Sequence, residues 1–157
     1  MRRIGITGGI GSGKSVVSRL LRIMGYSVYD TDSEAKRLME SSLEVVQKLS
    51  ECFGRDIYHN GRLNRGLLSS RVFGKSDKIV LLNSIVHPVV RFDFYRWSES
   101  LNEEICFVES AILYESRFDE LVDEVWTVTA PEELRIGRVR QRSGLTEEEI
   151  KKRMAAQ

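Results

Sequence analysis

Residues Gly8-Gly9-Ile10-Gly11-Ser12-Gly13-Lys14-Ser15 constrain this chain more than any other stretch, because they match the phosphate-binding pattern Gly-x4-Gly-Lys-Ser/Thr in full. The flanks fit the same chemistry. Ile4-Gly5-Ile6-Thr7 before the loop reads as a strand. After it, Val16, Val17, Leu20, Leu21, Ile23 and Met24 recur at helical spacing until Gly25 stops them. Glycines let successive backbone N–H groups turn inward around an anion. The helix start adds partial positive charge and Lys14 adds a full one. The expected ligand is a nucleoside triphosphate, held by Gly9, Gly11, Ser12, Gly13, Lys14, Ser15 and Val16. Lys14 would sit on the β/γ oxygens and the Ser15 hydroxyl on Mg²⁺.

Composition narrows the class. A chain of 157 residues is one domain by length, and 41% hydrophobic with 30% charged residues is ordinary for a soluble globular protein. A net charge of +1 gives no bulk attraction to nucleic acid or anionic membrane, so neither is expected as a partner. Cys52 and Cys106 show no metal-ligand spacing and read as small core residues of a reducing compartment. Arg2-Arg3 leads straight into the first strand with no signal-peptide pattern, and no apolar run could span a bilayer. The reading is cytoplasmic and, by slight preference, monomeric.

Further strands are expected at Tyr26–Tyr29, Ile105–Val108 and Glu124–Thr129, with helices between them. Thr31 with Glu34, and Thr146 with Glu149, have capping-box spacing. A helix through Leu43, Val46, Leu49, Cys52 and Phe53 should end at Gly54, and Asn60-Gly61 marks a tight turn. Two short helices, 64–73 and 77–86, are expected either side of Gly74, and Pro88 should open another that runs to about Leu101. Pro131 starts a helix that Gly144 ends. Strands alternating with helices predict an α/β fold with a parallel sheet. Roughly seventy residues separate the second and third strands, far beyond an ordinary crossover. That insertion is read as a helical subdomain at the strand ends, a natural place for a second substrate.

Asp30 and Asp32 stand at the carboxyl end of the second strand. Position alone leaves Asp32 two roles, a helix cap or a base that takes a proton from an attacking hydroxyl. Glu109 ends a buried strand beside the loop, which suits a carboxylate near Mg²⁺ better than a merely solvated one. Arg135, Arg138 and Arg142 share one helix face, while Arg140 points the other way. Beside a phosphate loop, a guanidinium row over the triphosphate is a better reading than a solvated face. Gly144 would let that segment move as a water-excluding lid. His87 reads as a helix-junction residue before it reads as a substrate contact. Phe92, Phe94, Tyr95 and Trp97 read as core before a ligand surface.

Taken together, these residues resemble the dephospho-CoA kinase family. The resemblance covers Ile6-Thr7-Gly8 through Ser15, Asp30-Thr31-Asp32, Phe53-Gly54, Gly61-x-Leu63-x-Arg65, Leu68, Val72-Phe73, His87-Pro88, Arg138, Arg142 and Ala155-Ala156-Gln157. It implies a P-loop kinase of nucleoside-monophosphate-kinase-like, three-layer α/β/α architecture. The implied division is a core over 1–32 and 104–137, a CoA-binding insertion over 33–103 and a lid over 138–157. The implied reaction moves the γ-phosphate of ATP, with Mg²⁺, to the 3′-hydroxyl of dephospho-CoA. Asp32 and Lys14 would be catalytic with Arg138 and Arg142. Asp30, Arg65, His87 and Glu115 would bind substrate, and Ser15 with Glu109 would serve the metal.

The chain departs from the family pattern at Val16, where Thr is common, and at Arg135, where Gln is frequent. Glu109 through Glu115 keeps the carboxylates of its motif but not the Pro. The family is expected to continue past Gln157 with another strand and a closing helix, which would leave the base-binding side incomplete here. A kinase for another small acceptor such as a nucleoside monophosphate, a GTPase switch and an inactive binding module are the rival readings. No Asn-Lys-x-Asp guanine motif supports the second.

Overall fold

The computed structural model describes residues 1–155; Ala156 and Gln157, the end of the lid motif, lie outside the described residues. β1 (Arg2–Thr7) and β5 (Ile105–Glu109) form the centre of a parallel sheet ordered β2-β5-β1-β6. β2 (Val28–Asp30) and β6 (Glu124–Thr127) are its edges. Ile4 through Thr7 and Cys106 through Glu109 are buried at every consecutive position. Because side chains alternate across a strand, such runs need cover on both faces, the condition of a parallel sheet flanked by helices. Leu21, with Val17 beside it, brings α1 (Lys14–Ile23) onto Ile4, Ile6 and Phe107. Fully burying a side chain such as Ile6 is worth roughly 1.5–3 kcal/mol.

Register brings the carboxyl ends level. Asp30 pairs with Glu109, Glu109 with Ile6, and Ile6 with Trp126. The glycine loop leaves β1 at that edge, where parallel sheets place their ligands. Later in the chain, α6 (Glu132–Ser143) and α7 (Glu147–Ala155) pack through Ile136, Val139 and Ile150, with Ile10 of the loop against the same cluster. The capping box at Thr146 forms in full. Thr146 donates N–H and hydroxyl to Glu149 Oε2 at 2.8 Å each, and the Glu149 N–H returns to Thr146 Oγ1 at 3.3 Å.

The chain divides into two compact units, one of residues 1–30 with 100 onward and the other Thr31–Glu99. The second contains α2 (Thr31–Ser41), α3 (Leu43–Phe53), α4 (Arg65–Val72) and most of α5 (Ser76–Ser100). A short hairpin, β3 (Tyr58–His59) with β4 (Arg62–Leu63), turns at Asn60 and Gly61. Both have positive φ, 50° and 76°, as a tight two-residue turn requires. Arg71 on α4 donates to the Phe53 carbonyl and to Asp56 Oδ1 at 2.8 Å, tying α4 to the end of α3.

Five expectations need correction, one being the reading of Phe92 and Tyr95 as core: both are exposed on α5. Pro88 does not start a helix, and His87 is no junction residue: both lie inside the 25-residue α5. Val86, Val90, Phe94 and Ser98 form its buried stripe at four-residue spacing, and that burial overrides the local cost of proline. Pro88 and Ser84 are both exposed, so the Ser84 carbonyl that lacks its i+4 donor faces water. Cys52 is exposed, because the stripe of α3 is Val45, Leu49 and Phe53. Leu43 is likewise 87% exposed. Thr31 lies within α2, and Glu34 accepts from Arg37 rather than closing a box.

Candidate active site

The loop between β1 and α1 is built by a few backbone bonds. Ser12 N–H donates to the Gly9 carbonyl at 3.1 Å, and the Val16 and Val17 N–H groups both reach the Gly13 carbonyl, at 2.9 and 3.2 Å. Gly13 caps α1 at φ 106°, a conformation that an L side chain would strain. No side chain caps α1 and no acid lies in its first turn. The positive end of the helix dipole is therefore uncompensated, as an anion site needs. Lys14 is the first residue of α1 and is half-buried there. Ser12 Oγ is buried with no hydrogen-bond partner among the described residues. Val16 has its side chain 71% exposed, so only its backbone belongs to the loop.

Ser15 and Glu109, read separately as metal-serving, touch each other. Ser15 Oγ donates to Glu109 Oε1 at 3.1 Å. Glu109 is only 8% exposed while Ser15 is exposed, so the pair joins a buried carboxylate to an open hydroxyl at the sheet's carboxyl end. Hard oxygen donors of this kind fit a divalent cation of the Mg²⁺ type, which takes few protein ligands. No cluster of three or more His, Cys, Asp or Glu side chains that could hold a metal occurs among the described residues. A cation here would depend on the nucleotide for the rest of its shell.

Helix α6 lies directly on the loop. Arg135 Nε donates to the Ile10 carbonyl at 2.9 Å. Arg138 Nη1 donates to the Gly11 and Ser12 carbonyls at 3.3 and 3.2 Å. A Cβ on Gly11 would stand 2.6 Å from the Arg135 carbonyl oxygen, and Gly11 has φ 77°. Only glycine allows α6 this close. Arg142 and Arg140, in the last turn of α6, are exposed. The sequence pattern puts Arg135, Arg138 and Arg142 in a row over the triphosphate, whereas Arg135 and Arg138 here meet backbone carbonyls of the loop. Nothing in that pattern points to the Ile10 carbonyl as an acceptor.

The other candidates are divided between the two units. Asp30 ends β2 in register with Glu109, and Glu115 is exposed in the segment after β5. Asp32 lies in the first turn of α2, in the other unit. Arg65 opens α4 in that unit and reaches Glu40 Oε1 at 3.4 Å. His87 is half-buried on α5, where desolvation pulls its imidazole below the usual histidine range.

A family model described as dephospho-CoA kinase matches residues 2–157. This chain belongs to that family. A Porphyromonas gingivalis dephospho-CoA kinase is 46% identical over 157 residues, covering 100% of this chain and 78% of the relative. A Thermus thermophilus crystal structure superposes with TM-score 0.83 at 38% identity, covering 99% of this chain and 80% of that one. The dephospho-CoA kinase of Campylobacter jejuni shares the fold at TM-score 0.71 and 24% identity, over 100% of this chain and 81% of its own. The family membership makes the chain a kinase, with the parallel P-loop sheet that its sequence predicts. No helix among the described residues is long and apolar enough to cross a membrane.

Proposed function

We propose that this protein transfers the γ-phosphate of ATP to the 3′-hydroxyl of dephospho-CoA, giving coenzyme A, in the cytoplasm and as a monomer. The family match over residues 2–157 carries this reading. The unsealed helix start behind the glycine loop supports the donor side of it. Backbone N–H groups of residues 9–16 cradle the phosphates, and the Lys14 ammonium draws charge from the β/γ oxygens. Ser15 and Glu109 would hold Mg²⁺, whose charge would offset that of the phosphates. Asp32 orients the acceptor hydroxyl and accepts its proton as the new P–O bond forms. Arg138 and Arg142 counter the charge that develops on the transferred group. Asp30, Arg65, His87 and Glu115 position the acceptor, with the insertion over 33–103 holding the CoA moiety and residues from 138 acting as a lid.

A product assay tests it. ATP is offered with dephospho-CoA, with a nucleoside monophosphate, or with no acceptor. Coenzyme A formed only in the first mixture is the expected result. Phosphorylation of the monophosphate alone, or GTP consumption without acceptor, would overturn the reading.

A further inference from the structure

Three consecutive carbonyls of the phosphate loop are occupied by arginines of one helix. Ile10 accepts from Arg135, while Gly11 and Ser12 accept from Arg138. In a trans peptide the carbonyl of one residue and the N–H of the next point in opposite directions. A donor that holds the Ile10 carbonyl therefore also sets where the Gly11 N–H points. Ile10 is held a second way, its side chain packing against the cluster of Ile136, Val139 and Ile150. The approach is close on both sides of it. A Cβ on Gly9 would stand 2.4 Å from Arg135 Nη2, and one on Gly11 would stand 2.6 Å from the Arg135 carbonyl oxygen.

We propose that Arg135 is a positioning residue for ATP binding: its Nε–H locks the Ile10–Gly11 peptide plane from the carbonyl side and so pre-shapes the N–H nest. Arg135 would act through the loop backbone and not by touching phosphate. What the site requires at position 135 is then an N–H donor four bonds from Cα, not a positive charge. Glutamine places its amide nitrogen at that same distance along the side chain. Lysine places its ammonium one atom further out, and methionine has the reach with no donor. This inference rests on the loop being the ATP phosphate site.

The test compares Arg135→Met, Arg135→Gln and Arg135→Lys in the full chain by steady-state kinetics. Equilibrium binding of ADP and a thermal melt accompany each variant. The nest binds phosphate alike in ground and transition states, so losing the lock raises KM for ATP and leaves kcat near its original value. The Met variant should show roughly a tenfold rise in KM for ATP, the upper scale of one lost hydrogen bond. The Gln variant should stay within about threefold of wild type, and KM for dephospho-CoA should not move. Wild-type KM in the Met variant overturns the inference. So does a fall in kcat alone, or a Lys variant that restores binding where Gln does not. If the Met variant melts below the assay temperature, the order of Gln against Lys decides by itself. Wild-type protein that binds no ADP would refute the functional reading instead, since the variants would have no affinity to lose.

Discussion

At α7 the first turn is finished by its own sequence, with Thr146 and Glu149 satisfying each other's backbone and Glu147, Glu148 and Glu149 set against the dipole. At α1 the corresponding turn has neither a capping side chain nor an acid. Among the described helices α1 alone lacks both, since α2, α3, α5, α6 and α7 have an acid there and Asn64 caps α4. The same backbone feature serves stability where it is closed and ligand binding where it is left open. Stability forgone at α1 is recovered when a polyanion arrives.

Asp32 offers the largest test, because it occupies the first turn of α2 where an acid normally only balances the dipole. Asp32→Asn should keep the melting temperature and ATP binding while turnover falls by about 10²–10⁴-fold. Full turnover in that variant would return Asp32 to the ordinary class of helix-end acids. At the open end, Lys14→Met should lower kcat/KM by on the order of 10²–10³-fold with little change in melting. Val16→Glu converts α1 into a helix like α7. It should add about 0.5 kcal/mol of stability yet raise KM for ATP by roughly tenfold. An unchanged KM there would mean that the open end is incidental.

The closed end gives smaller effects of the opposite kind. Thr146→Ala should cost about 1 kcal/mol, seen as a melting temperature some 2–4 °C lower, with kcat intact at 25 °C. Glu149 titrates below the usual glutamate range, first because the Thr146 N–H bonds to its carboxylate and second because the Thr146 hydroxyl does. A depressed carboxylate stabilises the fold above its unfolded value and loses that contribution as pH falls through the folded one. The melting difference between wild type and Glu149→Gln should therefore be full at neutral pH and close progressively below about pH 4.5. A gap that stays constant as the carboxylate is protonated would detach the box from ionisation.

The open end was legible because its information is local: strand, glycines, Lys14 and helix follow one another within about twenty residues. Thr146 and Glu149 were legible for the same reason, being three apart. Pro88 misled because a local breaker was outweighed by four buried residues of a long stripe that no short window reveals. Cys52 misled because α3 has apolar residues on two adjoining faces and only one packs. The clamp on the loop was illegible on principle. Ile10 accepts through its backbone carbonyl, a group every residue has, from an arginine 125 positions away. Its only trace was three arginines on one face, a pattern that a solvated helix shares.

The burial of the two thiols has a practical consequence. Cys52 lies open on α3, while Cys106 is enclosed in the central strand, where desolvation raises its thiol above the usual range. Only these two cysteines exist in the sequence. A maleimide dye applied to the native protein should therefore attach at one place, because the enclosed thiol is both inaccessible and protonated. The wild-type chain thus comes with a single built-in anchor for a fluorophore in the Thr31–Glu99 unit, well suited to following that unit as substrates are added.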